Sequence, residues 1–352
     1  MARLLFSGYL ALVFEVEMRQ PVKSCVGPAW ALCLLAFAPK AVATEAPPVF
    51  VREFGPDGSG TNQLHVPRGL AVDPDGSVFI ADTGNDRIVM YDSAGAVVRS
   101  WGHTGSGDGE FHSPVNLAVA ADNTIYVVDR FNYRVQRFTR EGTFLLKFPV
   151  SSAGSGQFQR PFAIGCGSDG SVYVSVTDST SATIRRFDPN GTFLNQWGES
   201  GAGPGQFSSP IGIAVDGEQH VYVTDSNNCV VQKFTQRGEL LTRWGGVGAQ
   251  AGQFKTPVGI ALDPAGSLYV VDHHNFRVQK FTQGGQWILM WGTHGLGPNQ
   301  FESSHAMGCD RFGSIYILDY QLADGYVQKY RAATTSPVAA RSWSDLKRLY
   351  GR

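Results

Sequence analysis

The sequence predicts an all-β protein: a six-bladed β-propeller of four-stranded blades, its ring closed by the N-terminal strand completing the last blade. Three observations lead there. A proline recurs at Pro67, Pro114, Pro161, Pro210 and Pro257, with Ser304 in the sixth place, at steps of 47, 47, 49, 47 and 47 residues. Each copy alternates apolar and polar residues in short runs separated by turn residues. The last copy lacks its fourth run, and a spare run, Val49–Phe54, precedes the first copy. Four strands per repeat at this period mark a propeller blade and exclude a helical solenoid. A spare strand at one end and a missing one at the other let the two ends pair, which removes an exposed sheet edge at the seam.

The clearest copy covers residues 67–101. Residues 70–73 and Val78–Asp82 flank a Pro-Asp-Gly turn, Arg87–Tyr91 follows a polar loop, and residues 96–101 close the unit. In the sixth copy the strands are expected at 307–310, 314–319 and 326–330. The chain of 352 residues holds 42 glycines and 12% aromatic residues. Without a Gly-X-Y period, that glycine load fits many tight turns. The net charge of −1 gives no electrostatic reason to expect a nucleic acid. One repeat spans most of the chain, so a single domain is expected at 47–331.

Residues 1–46 read as a signal or targeting segment. Arg19 and Lys23 precede the uncharged run at 25–38, and Ala41-Val42-Ala43 is a small-residue cleavage site, placing the cut near Ala43. Met18 stands where such a signal would start. The run is shorter than the roughly 20 residues that span a bilayer. The expectation is export to the periplasm or the cell exterior, with no membrane span after processing. Cys166, Cys229 and Cys309 remain, too scattered for a disulfide framework. Cys166 and Cys309 align with Val72 and are expected to be buried between blades, with Cys229 in a loop. Residues 332–352 form a basic tail whose Trp343, Leu346 and Leu349 suit one face of a short amphipathic helix.

Residues 254–281, FKTPVGIALDPAGSLYVVDHHNFRVQKF, resemble the NHL repeat, and the resemblance extends over residues 49–330. It implies the six-bladed propeller. It leaves function open, because NHL propellers serve as lyases, RNA readers, sensors and protein-binding modules.

Recurrent polar groups read as scaffold. Asp82/Arg87, Asp129/Arg134 and Asp272/Arg277 stand five residues apart, on adjacent strands, where they can form charge-assisted pairs. The third copy has Val176 and Thr183 instead, and the fourth has Val230 in place of arginine. Asp73-Pro-Asp-Gly begins like a calcium loop but lacks the glutamate such a loop needs, so it reads as a turn. The large aromatics before glycine, Trp101, Trp197, Trp244 and Trp291, read as packing between blades.

Candidate ligand groups lie at one end of the ring. The residues after the recurring proline, Arg68, Val115, Phe162, Ile211, Val258 and His305, are expected to meet the central channel. The resemblance to amidating lyases implies a zinc held by histidines from several inner strands, but only His305 fits, where a zinc site needs about three protein ligands. Arg68, Asn116 and His305 remain as candidates to grip a small anion at the channel mouth. On the rim, Arg130, Phe131, Tyr133, His273, His274 and Phe276 interleave basic and aromatic side chains suited to a peptide or glycan. No Gly-x-Ser-x-Gly, phosphate-loop or His-Glu-x-x-His motif occurs. The reading is therefore an exported, monomeric, non-catalytic binding or scaffold module for a protein, peptide or glycan. It assigns no catalytic residue and no cofactor, and no residue pattern supports a structural calcium or zinc. The alternative is a metal-assisted lyase of the amidating-lyase or streptogramin-lyase kind, centred on the channel mouth.

Overall fold

The computed structural model describes residues 45–55, 60, 63–150, 159–178, 180–321 and 324–333. The signal segment, apart from Glu45 and Ala46, and the basic tail beyond residue 333 lie outside the described residues. Among these residues six antiparallel four-stranded sheets follow one another around a ring. The innermost strands are Gly69–Val72, Pro114–Val119, Arg160–Cys166, Pro210–Val215, Pro257–Leu262 and Ala306–Cys309. The second strands, such as Val78–Asp82 and Ile125–Asp129, are wholly buried because sheets cover both of their faces. No helix among the described residues is long and apolar enough to cross a membrane.

The sixth blade pairs Val49–Phe54 with Asp324–Arg331, antiparallel, from Val49 opposite Arg331 to Phe54 opposite Val327. Phe50 stands edge-on to Tyr330 at 5.9 Å, and Phe54 reaches Tyr91 of the first blade at 5.2 Å. The first and last residues of the ring are thus joined by both hydrogen bonding and packing. The sixth blade's second and third strands, Ser314–Gln321 and Asp324–Arg331, run longer than the alternation indicated.

Tryptophans at the ends of the outer strands sit between blades. Trp101 packs against Phe79 of its own blade and Phe138 of the next, and Trp197 and Trp244 repeat the arrangement. The turn of the following blade comes so close that its glycine is required: Gly142 has φ +84°, and a Cβ there would lie 2.6 Å from the Trp101 ring. A side chain would meet both backbone strain and a rigid indole.

Two sequence expectations change. Cys166 and Cys309 are only half-buried and line the channel, while Cys229 is the buried cysteine. A position on an innermost strand faces the hole of the ring as readily as the neighbouring blade. The six residues after the recurring proline also do not form one circle. Val115 and Val258 are buried, and Asn116 reaches the channel instead. The inner strands of the second to fifth blades all carry a register shift where they begin, yet Phe162 and Ile211 still line the cavity, so the shift alone does not set which way these residues face.

Candidate functional site at the channel mouth

The inner strands begin at the face that also carries the loops after the second strands. Except in the third blade, each of those loops is pinned from below by the aspartate that ends its strand. Asp129 Oδ2 accepts from Arg134 Nε at 2.7 Å and from Asn132 Nδ2 at 2.8 Å, while Oδ1 accepts from the His112 N–H at 2.8 Å. Asp82 and Asp272 repeat this with Arg87/Asn85 and Arg277/Asn275. The three expected pairs are therefore ion pairs at 2.7–2.8 Å with fully buried carboxylates. In the fourth blade Asp225 keeps Asn228 and the N–H groups of Ser208 and Ser209 without an arginine.

In the first, fourth and fifth blades the residue following the aspartate then points at the next blade. The hydroxyl of Thr83 donates to the carbonyl of Pro114 at 2.6 Å, Ser226 does so to Pro257, and His273 Nδ1 donates to Ser304 at 2.9 Å. Arg130 occupies the same place but is too long for the latch. Its guanidinium lies over Phe162 at 5.1 Å and Phe131 at 5.7 Å, and Arg160 covers Phe131 at 5.8 Å. Arg160 went unnoticed in the sequence, and so did Tyr320. Both have a positional signal, since Arg160 precedes a recurring proline and Tyr320 follows a recurring aspartate.

Below the rim a cavity of about 230 Å³ opens, with Arg68, Asn116, Phe162, Ile211 and His305 at its mouth and Met307 among the apolar residues deeper in. Asn116 turns its Oδ1 to the Leu117 N–H at 2.9 Å, which leaves its amide nitrogen for a ligand. His305 donates from Nδ1 to the Ser303 carbonyl at 2.9 Å and accepts at Nε2 from the Tyr320 hydroxyl at 3.3 Å. Its ring stands edge-on to His273 at 4.8 Å. Burial pushes the His305 pKa down to about 4, and His273, Arg68 and His274 add to the depression. His305 is thus a neutral lining group, and the positive charge at the mouth comes from the arginines.

A pH dependence follows. The unfolded chain protonates His305 near pH 6.5, the folded protein near 4. The stabilisation is complete above pH 6.5 and is lost as the pH falls towards 4. Between pH 7 and 4.5 the wild type is expected to lose about 2–3 kcal/mol more than His305→Gln, measured by urea unfolding at both pH values. Equal losses would show that His305 titrates normally.

The other rim residues divide. Phe131 is exposed and lies against His112 at 5.1 Å as well as the two arginines. His274 is exposed and bonds Thr256 Oγ1 through Nδ1 at 2.7 Å. Tyr133 and Phe276 occupy left-handed positions, φ 55° and 54°, that end one-turn helices at Arg130–Asn132 and His273–Asn275. Phe276 packs on His294 at 4.4 Å.

Fold and site together define a propeller with one open, basic and aromatic channel mouth. The NHL repeat family matches residues 64–91, 207–234 and 254–281, so the chain is a six-bladed propeller that carries NHL repeats. No match to a curated protein sequence was found. Among solved structures, virginiamycin B lyase from Staphylococcus aureus is 17% identical, covering 81% of this chain and 89% of that one, with a TM-score of 0.54. A gluconolactonase from Xanthomonas campestris is 16% identical, covering 82% and 99%, with a TM-score of 0.58. A protein of unknown function from Bacteroides thetaiotaomicron is 17% identical, covering 78% and 73%, with a TM-score of 0.60. At these identities the likeness shows the fold alone.

Proposed function

We propose that this is an exported NHL-repeat propeller, working as a monomer without a cofactor. It acts as a non-catalytic binding module that holds a peptide or protein segment at the channel mouth. One observation carries the reading. The recurrent aspartates, asparagines and paired arginines are consumed in pinning loops, while Arg68 lines the cavity and Arg130, Arg160 and Phe131 stack on one another and on Phe162 beside it. Rigid aromatic and guanidinium groups around an apolar pocket are the groups that dominate binding at protein interfaces.

The lyase alternative needs a metal, and the donors do not suit one. Both nitrogens of His305 are engaged, as are Nδ1 of His273 and Nδ1 of His274. Among the described residues no group of three or more histidine, cysteine or acidic side chains could hold a metal ion. No step through a metal is therefore derived.

The test is selection of displayed peptides on the immobilised protein, counter-selected on Phe131→Ser. Peptides that bind the wild type and lose at least tenfold on the variant are expected. They should be recovered with unchanged mass after prolonged incubation. Failure to enrich any sequence over the variant would overturn the binding reading, and a mass change by elimination would establish the lyase.

A further inference from the structure

Three cations sit together at the channel mouth without an anion among the described residues. Arg130 lies between the rings of Phe131 and Phe162, and Arg160 covers Phe131. Arg68 and Arg160 are close enough to Arg130 to depress its basicity, to which burial contributes most. Among the described residues none of the three guanidiniums makes an ion pair or a side-chain hydrogen bond. The contrast with the rest of the ring is sharp. Arg87, Arg134 and Arg277 each have a buried carboxylate and several carbonyl acceptors. The Nε of Arg130 is fully buried and has no acceptor among the described residues. Aromatic faces ease the crowding of like charges, but they accept no N–H bond in the guanidinium plane. A buried donor left unpaired costs about 1–3 kcal/mol, and clustered like charges add to that. Groups this unfavourable when empty are satisfied by a ligand that brings both an acceptor and a negative charge.

The carboxylates at the ends of the second and third blades' second strands are committed elsewhere. Asp178 is held by Gln159, Thr180 and Ser181, and Asp129 by His112, Asn132 and Arg134. Immediately below the arginines the character of the wall changes. Leu70, Leu117, Ile164, Ile213, Ile260 and Met307 line the shaft, which the cavity of about 230 Å³ occupies. A fully hydrated anion such as phosphate gains nothing from such a shaft, whereas an apolar stem does. A planar carboxylate also matches the two-pronged donor edge of a guanidinium.

We infer that the channel mouth is a binding site for a carboxylate on a short apolar stem, the anion held by Arg68 and Arg130 and the stem inserted into the shaft. This rests on the binding-module reading and names the chemistry of its ligand. The carboxylate belongs either to a peptide C-terminus with an apolar last residue or to a free aliphatic acid. Arg160 adds charge at the outer edge, and Asn116 offers its amide nitrogen to a carboxylate oxygen.

The experiment is calorimetric titration of the protein with four probes: N-acetyl-Ala-Leu, its C-terminal amide, 4-methylpentanoate and inorganic phosphate. Binding of one or both carboxylates is expected, with the amide and phosphate at least tenfold weaker. Which carboxylate binds tighter identifies the source. Arg130→Met and Arg68→Met should each weaken the carboxylate at least tenfold, and Arg130→Lys should restore part of the loss. The wild-type comparison of acid with amide needs no variant to fold. Equal binding of acid and amide, phosphate binding as tightly as the acids, or no effect of either methionine variant would each overturn the inference. Peptides selected on the wild type that bind as well with an amidated C-terminus would sink this site while leaving the binding module intact. Failure of the selection together with tight carboxylate binding would do the reverse.

Discussion

Asp129→Ala is expected to cost the folded protein about 3–5 kcal/mol, although residue 129 touches no ligand. The carboxylate has no exposure to solvent, and it accepts from four donors: the His112 N–H, Asn132 Nδ2, Arg134 Nε and, at 3.1 Å, Gln136 Nε2. Its removal strands Arg134, which is 8% exposed. The carbonyls of Ser106, Gly107 and Glu110 that bond the remaining guanidinium nitrogens carry no net charge to replace it. Leaving a buried cation unpaired is much worse than never having the pair. The third blade supports that asymmetry, since it holds Val176 and Thr183 at the equivalent places and still forms its sheet. The double variant Asp129→Val/Arg134→Thr should therefore lose less than Asp129→Ala alone. Urea unfolding of the wild type, both single variants and the double variant reads the coupling directly. A cost under about 1 kcal/mol for Asp129→Ala would mean that the hub is decoration.

Deleting Val49–Phe54 should do still more harm, because it opens the ring. The strand contributes a full row of ladder hydrogen bonds to Asp324–Arg331 and the ring contacts of Phe50 with Tyr330 and Phe54 with Tyr91. Arg52 also donates to the Ala94 carbonyl of the first blade at 2.7 Å, so the strand ties two blades. Two half-buried phenylalanines and five paired residues add up to about 5 kcal/mol or more. The deletion also exposes the edge of Asp324–Arg331, an open template for another chain. The expected product is either unfolded or dimeric and oligomeric, with a melting temperature at least 10 °C lower, seen by size-exclusion chromatography and thermal unfolding. A synthetic peptide of residues 47–56 should restore part of the loss. A monomer that melts like the wild type would refute closure by this strand.

Much of the architecture was already written in the chain, for one physical reason. A blade cannot bury its faces alone, so each copy must present the same apolar pattern to its neighbours, and the pattern repeats visibly. Pro67 to Ser304 counted the blades, the surplus Val49–Phe54 predicted the seam, and Asp82, Asp129 and Asp272 announced pairs that lie at 2.7–2.8 Å. Those features depend on contacts within a blade or with its nearest copy. The channel mouth depends on contacts among several blades, and there linear reasoning failed. Val115 and Val258 were expected at the channel, yet both lie in the core and Asn116 lines the cavity instead. Alternation along a strand says that neighbours face opposite ways, but only register says which way. His305 was read in the sequence as one of three channel-mouth ligand groups, and burial keeps it neutral. Arg130 was read as one basic member of the rim set. Only its placement against Phe162 and beside Arg68 and Arg160 makes it an unpaired donor next to the cavity among the described residues, because proximity across blades is a property of the closed ring.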